Sequence, residues 1–253
     1  NAYWLDDYAL FRAVRDFFGG RCWTEWPEDI RHHSREALAQ YGKELAGAVS
    51  HVKFMQYIFS RQWHDVRAYA AENGVSILGD VPMFVAGVPP DYFSADGQLW
   101  GNPLYDYQAM AADNYQWWTD RFRRMMDLVD EVRVDHFRGF AAYWAVPAGS
   151  ETAKSGAWKD GPGLDLFRAV YQKIGRIRLV AEDLGVITDD VCTLKDALHL
   201  PGMKVIQFHL KDRADGRLAF DTEPDCIAYT GTHDNNTIRG WYEDDLTPSQ
   251  QLH

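Results

Sequence analysis

Four acidic residues, Asp80, Asp135, Glu182 and Asp234, each end or closely follow a short run of apolar and β-branched residues. The runs are Val75-Ser-Ile-Leu-Gly-Asp80, Val132-Arg-Val-Asp135, Leu179-Val-Ala-Glu182 and Cys226-Ile-Ala-Tyr-Thr-Gly-Thr-His233. Successive side chains of a strand face opposite ways, so Arg133 and Asp135 share one face while Val132 and Val134 share the other. A lone buried charge is costly, which makes a paired Arg133 and Asp135 the expected arrangement. An ordinary buried ion pair meets that expectation; so does a reactive site in which the arginine favours the carboxylate form that a nucleophile needs. Asp183 competes with Glu182 for any role at its strand end, and His233 read singly is a structural histidine. Chance would scatter acids over both ends of the strands, and here they gather at one. Two carboxyl groups facing one bond are the machinery of glycoside cleavage: one attacks the sugar carbon, and the other protonates the departing oxygen and then deprotonates the acceptor.

The segment from Val85 to Tyr107 is long for a connection in a compact domain. It contains Pro89-Pro-Asp-Tyr-Phe-Ser-Ala-Asp-Gly-Gln-Leu-Trp-Gly-Asn-Pro-Leu-Tyr105, in which aromatic residues alternate with Asp, Gln and Asn. Flat rings pack on the apolar faces of pyranose rings, and amides and carboxylates bind their hydroxyls. A proline-ordered lid packed by its own aromatics is the alternative.

The elements that position these residues follow from apolar spacing. Helices are predicted over His51–Asn73, from Trp118 to Val129, from Phe167 to Ile174, and after Thr188, which can cap a first turn holding Asp189 and Asp190. Strands are predicted over the four runs above and over Met203-Lys-Val-Ile-Gln-Phe208, with Leu210–Pro224 read as loop. Helices alternating with short strands imply parallel βα units. The fold class is therefore α/β, as an open doubly wound sheet or a (β/α)8 barrel. Acids at the C-terminal ends of several strands favour the barrel. An open sheet would carry a glycine-rich phosphate turn after its first strand, and no such motif is present.

The chain of 253 residues is 46% hydrophobic, enough for one large core. No apolar run reaches the roughly 18 residues that span a bilayer, and the predicted location is cytoplasmic. A net charge of −11 argues against a nucleic-acid partner. Cys22, Cys192 and Cys226 lack zinc or redox spacing and read as free thiols. The chain opens on Asn1 without Met and stops inside a capped-helix pattern, so it is expected to be an internal piece of a longer protein.

Four ordered stretches carry a resemblance. "ILGDVPMFVAGVPPDYFSADGQLWGNPLYDY", "VRVDHFRGF", "LVAEDLGVITDDV" and "YTGTHDNNT" closely resemble glycoside hydrolase family 77, the 4-alpha-glucanotransferases or amylomaltases, and "WLDDYALFRAVRDFFGG" extends the likeness over nearly the whole chain. The resemblance implies retaining transfer of α-1,4-glucan segments between maltooligosaccharides or starch-type glucans, without metal or organic cofactor. By motif position it implies Asp135 as nucleophile, Glu182 as general acid/base and Asp234 as transition-state stabiliser. Arg133, His136 and His233 would bind the reacting sugar or hold the carboxylates, and Asp80 would lie at the donor site, with Gln98 and Trp100 on the loop over the cleft. Residues 1–253 would be the central part of the catalytic barrel, with a helical insertion over about 1–50 and an active-site loop over about 85–107. Family members are roughly twice as long, which leaves about five of eight strands. The piece alone is then expected to be inactive and to self-associate through open edges. The rival readings are an α-glucan hydrolase of the amylase clan, a metal-dependent barrel hydrolase using Asp135, His136, Glu182, His233 and Asp234 as ligands, and a non-catalytic glucan-binding protein.

Overall fold

The computed structural model describes residues 2–84, 92–94, 97–99, 104–212, 218–220, 225–247 and 251. The chain divides into two units, Asn1–Val75 and Ser76–His253.

The first unit is helical. It holds α1 (Ala2–Phe17), α2 (Arg35–Glu44) and α3 (Ala46–Glu72). Ser34 caps α2 by accepting from the Ala37 N–H at 3.1 Å. Val14, Trp26, Ile30 and Ala37 form its small core. The helix expected from His51 starts one turn earlier, and Gly74 follows it in the left-handed region at φ 69°.

In the second unit β1 (Leu78–Val81), β2 (Glu131–Val134) and β3 (Leu179–Ala181) form a parallel sheet in that order. The register sets Asp80 opposite Arg133 and Arg133 opposite Val180. A second parallel pair joins β4 (Gly202–Val205) to β5 (Cys226–Tyr229). The Ala181 N–H donates to the Pro201 carbonyl at 2.9 Å, stitching the end of β3 to the start of β4. Parallel neighbours need crossovers. These are α4 (Gln116–Leu128), α5 (Gly163–Ile174) and α6 (Asp189–Leu198), each preceding a strand. This is an α/β fold.

Side-chain alternation on β2 decides what is core. Val132 and Val134 are fully buried in a cluster with Trp118, Phe122, Phe137, Phe140 and Phe167. Trp118 meets Phe140 with ring centroids 5.0 Å apart, and Phe140 meets Phe167 at 5.1 Å. Arg133 points the other way, as the alternation predicts.

Three local expectations are corrected. The strand expected through Phe208 stops at Val205, where its partner β5 also ends, and Ile206–His209 forms one helical turn that leaves Phe208 exposed. The segment expected as loop after Leu210 contains an antiparallel pair, Leu210–Asp212 with Leu218–Phe220. Thr188 stands at the N-cap of α6, yet its side chain makes no cap bond; it bonds Asp190 and holds that carboxyl below its usual range. Of the long loop, Tyr92–Ser94 pairs antiparallel with Gly97–Leu99, and Asp106 caps the helix Tyr107–Ala112 by accepting from the Ala109 N–H at 2.9 Å. A further antiparallel pair, Ala142–Ala145 with Ala157–Asp160, follows the turn after β2.

Candidate active site

Arg133 organises the C-terminal ends of β1 and β2. Its Nη1 donates to Asp80 Oδ1 at 2.7 Å and Oδ2 at 2.8 Å, and its Nη2 lies 2.9 Å from Asp135 Oδ1. The residue is only 7% exposed. Burial alone would pull its pKa down, but the bonds and charge of Asp80, with Asp135 and Glu182, outweigh this and the net shift is upward. A planar fork that reaches two carboxylates at once is a property of arginine and not of lysine. Asp135 follows β2 directly, its N–H donating to the Val81 carbonyl at 3.1 Å.

Glu182 follows β3 in the same way, its N–H donating to the Val134 carbonyl at 3.0 Å. Its carboxyl accepts two backbone N–H groups, that of Leu184 at Oε1 (3.0 Å) and that of His136 at Oε2 (2.9 Å). Burial pushes the Glu182 pKa up; the two N–H donors and Arg133 oppose that without cancelling it. β2 ends at Val134, and His136 turns left-handed, at φ 45° and ψ 50°. Regular strand alternation, which would send Asp135 and His136 to opposite faces, is broken at this residue. The next N–H, of Phe137, donates to the Glu182 carbonyl at 3.2 Å, so the two strand ends are laced together. The His136 ring lies 5.8 Å from that of Phe84, and burial lowers its pKa.

Asp183, the rival of Glu182, is committed elsewhere. Its carboxylate pairs with Lys195 Nζ at 2.7 Å and accepts the Met203 N–H at 2.7 Å. It tucks against Gly202, where an added Cβ would collide with both carboxylate oxygens. Asp183 thus joins β3 to β4, and Glu182 faces Arg133.

His233 and Asp234 form a more exposed pair, Nε2 to Oδ1 at 3.3 Å, each side chain 68% exposed. The loop bearing them is bonded internally: Asn235 Oδ1 accepts the Thr232 N–H at 2.6 Å, and Thr232 Oγ1 accepts the Asp234 N–H at 3.2 Å. Gln207 holds the loop from outside. The structure therefore brings Asp80, Arg133, Asp135, His136 and Glu182 into one network. Among the described residues no hydrogen bond or ion pair joins Asp234 to it. Gln98 stands opposite Phe93 in the short antiparallel pair, and Trp100 lies outside the described residues. At the end of β5, Tyr229 feels the charges of Arg133 and Asp80, although burial is the larger reason its pKa rises. Among the described residues no group of three or more His, Cys, Asp or Glu side chains could hold a metal ion. Sequence reasoning passed over Gln207 and Lys195; an amide at the end of an apolar strand run was the available signal for the first.

A family model described as 4-alpha-glucanotransferase, glycoside hydrolase 77, matches residues 1–86 and 86–253. The chain belongs to this family. Among curated relatives of this glycoside hydrolase 77 chain, the 4-alpha-glucanotransferase of Streptococcus pneumoniae serotype 4 is 41% identical over 273 residues, covering 97% of this chain and 54% of the relative. The chloroplastic/amyloplastic 4-alpha-glucanotransferase of Arabidopsis thaliana is 43% identical over 266 residues, covering 95% of this chain and 46% of the relative. The solved structure of amylomaltase from Streptococcus agalactiae in complex with acarbose superposes with a TM-score of 0.86 at 34% identity, over 99% of this chain and 56% of that one. The chain spans about half the length of the curated relatives it matches. Among the described residues no helix is long and apolar enough to cross a membrane.

Proposed function

We propose that this site transfers α-1,4-glucan segments between maltooligosaccharides by a retaining double displacement. The observation that carries the reading is the network in which Arg133 engages Asp80 and Asp135 while Glu182, on the neighbouring strand, keeps a raised pKa under two backbone N–H groups. Asp135 attacks the anomeric carbon and forms a covalent glucosyl ester. Glu182 gives its proton to the departing oxygen, then takes one from the acceptor hydroxyl. An acid whose pKa burial raises suits the first half-reaction, and the nearby cation suits an attacking carboxylate. Asp234 stabilises the positive charge that develops on the sugar, with His233, His136 and Asp80 binding its hydroxyls and Gln98 and Trp100 covering the donor. The chemistry needs no cofactor. Family membership and the structural neighbour's acarbose complex support an α-glucan ligand.

The parallel strands form part of a (β/α)8 barrel in this reading, with residues 1–50 as a helical insertion and 85–107 as a loop over the cleft. Tyr229 reaching the field of Arg133 and Asp80 supports a sheet that curls. The activity belongs to a protein of the relatives' full length; the 253 residues alone turn over little and self-associate through unpaired strand edges. The test is incubation of the intact enzyme with maltotriose and sizing of the products. Glucose plus longer maltodextrins is the expected result, and maltose plus glucose alone would replace transfer with hydrolysis. Asp135→Asn is expected to lower kcat on the order of 10⁴-fold.

A further inference from the structure

Gln207 stands on the helical turn Ile206–His209 that follows β4. A glutamine amide offers two N–H donors and a carbonyl acceptor, and both ends are used here. Nε2 donates to the Thr230 carbonyl at 3.2 Å and to the Asn236 carbonyl at 2.8 Å, while Oε1 accepts from Asn235 Nδ2 at 2.5 Å. The two carbonyls bracket the segment that carries His233 and Asp234. From Asn235 the chain of bonds runs inward: its Oδ1 also accepts from Thr232 Oγ1 at 2.8 Å, and that hydroxyl oxygen accepts the Asp234 N–H. Gly231 closes the packing, since a Cβ there would lie 3.2 Å from the Asn236 carbonyl oxygen and 3.5 Å from Gln207 Nε2.

Asp234 has little else to fix it. Its side chain is mostly exposed and pairs with a histidine that is equally exposed, so its place is set by the backbone beneath it. We infer that Gln207 is a positioning residue for Asp234, clamping both ends of the 230–236 loop so that the carboxylate is already in place when charge develops on the sugar. This rests on the role proposed above for Asp234. A group fixed before the reaction stabilises a transition state without reorganising at the moment of reaction.

The test is Gln207→Met in the intact enzyme, a side chain of similar length with no amide. The expected result is a fall in kcat for maltotriose disproportionation of about 10-fold or more with KM within about two-fold. In an Asp234→Asn background the same substitution is expected to change kcat by less than about two-fold, because residues acting as a unit are not additive. A penalty that persists in full in that background overturns the inference. Where Asp234→Asn itself leaves kcat near normal, the role given to Asp234 fails, and hydrogen exchange then decides the clamp: faster exchange at the Thr232 and Asp234 amides in Gln207→Met supports it, and unchanged exchange overturns it. Gly231→Ala presses on the same network and serves in the same assays if Gln207→Met does not fold.

Discussion

The backbone N–H of His136 donates to Glu182 Oε2 at 2.9 Å, so the turn that ends one strand orients the carboxyl that ends its neighbour. The bond is made by a residue in the left-handed region, a conformation that asparagine and glycine adopt far more readily than most residues. It favours the ionised form of Glu182, and burial favours the neutral form more strongly.

The balance appears in the pH–rate profile. In kcat/KM the alkaline limb reports the acid that must be protonated in the free enzyme. That limb is expected above the ordinary glutamate value of about 4.3, because the Glu182 shift is upward. A limb at the ordinary value, read from kcat/KM for maltotriose across pH, would remove Glu182 from the role of acid.

His136 gives a stability prediction of definite sign. Burial lowers its folded pKa, so above about pH 6.5 neither state carries the proton. As pH falls below that value the unfolded chain binds a proton that the folded chain refuses, and stability declines toward the folded pKa. His136→Asn tolerates the left-handed turn and does not titrate. The melting temperature of the unsubstituted protein is expected to drop relative to His136→Asn as pH falls below about 6.5; parallel curves would contradict it.

Arg133→Met leaves Asp80 and Asp135 side by side without their shared cation. Both carboxylates keep more than a third of their surface in water, which screens the loss to about 1–2 kcal/mol. Arg133→Lys is expected to recover little of this, since one ammonium cannot reproduce the fork. Denaturant melts of the two variants measure it, and full recovery by lysine would show that charge alone matters.

Asp183 and Glu182 are expected to separate cleanly. Asp183→Asn weakens a buried pair with Lys195 and so lowers the melting temperature while leaving kcat within a few-fold. Glu182→Gln removes the proposed acid/base and is expected to lower kcat by about 10²–10⁴. Thermal melts and maltotriose kinetics on both variants check it; the reverse pattern would exchange their roles.

Much of this was legible where local rules apply. Trp118, Phe122 and Met125 fall on one helical face and lie in α4; Val132 and Val134 alternate with Arg133 and are buried as alternation requires. Gly175, left-handed at φ 78°, ends α5 where the spacing places its stop. What escaped depends on partners distant in sequence. Val205-Ile-Gln-Phe208 reads as strand by residue type, yet pairing ceases when β5 stops at Tyr229. The polar residues after Leu210 give no period to read, and only the returning segment makes them a ladder. The acids themselves were visible, but the residues alone do not tell which of Glu182 and Asp183 faces Arg133. Lys195, twelve residues downstream, settles that by claiming Asp183.

One consequence concerns a position with no side chain at all. Because the Asp183 carboxylate fills the space where a Cβ of residue 202 would stand, a single methyl group there would push on the tether between two strands and, through it, on the adjoining glutamate. Mutational tolerance and chemical participation are therefore uncoupled at this spot: a library randomised at codon 202 is expected to favour glycine through stability alone, without any atom of residue 202 taking part in chemistry.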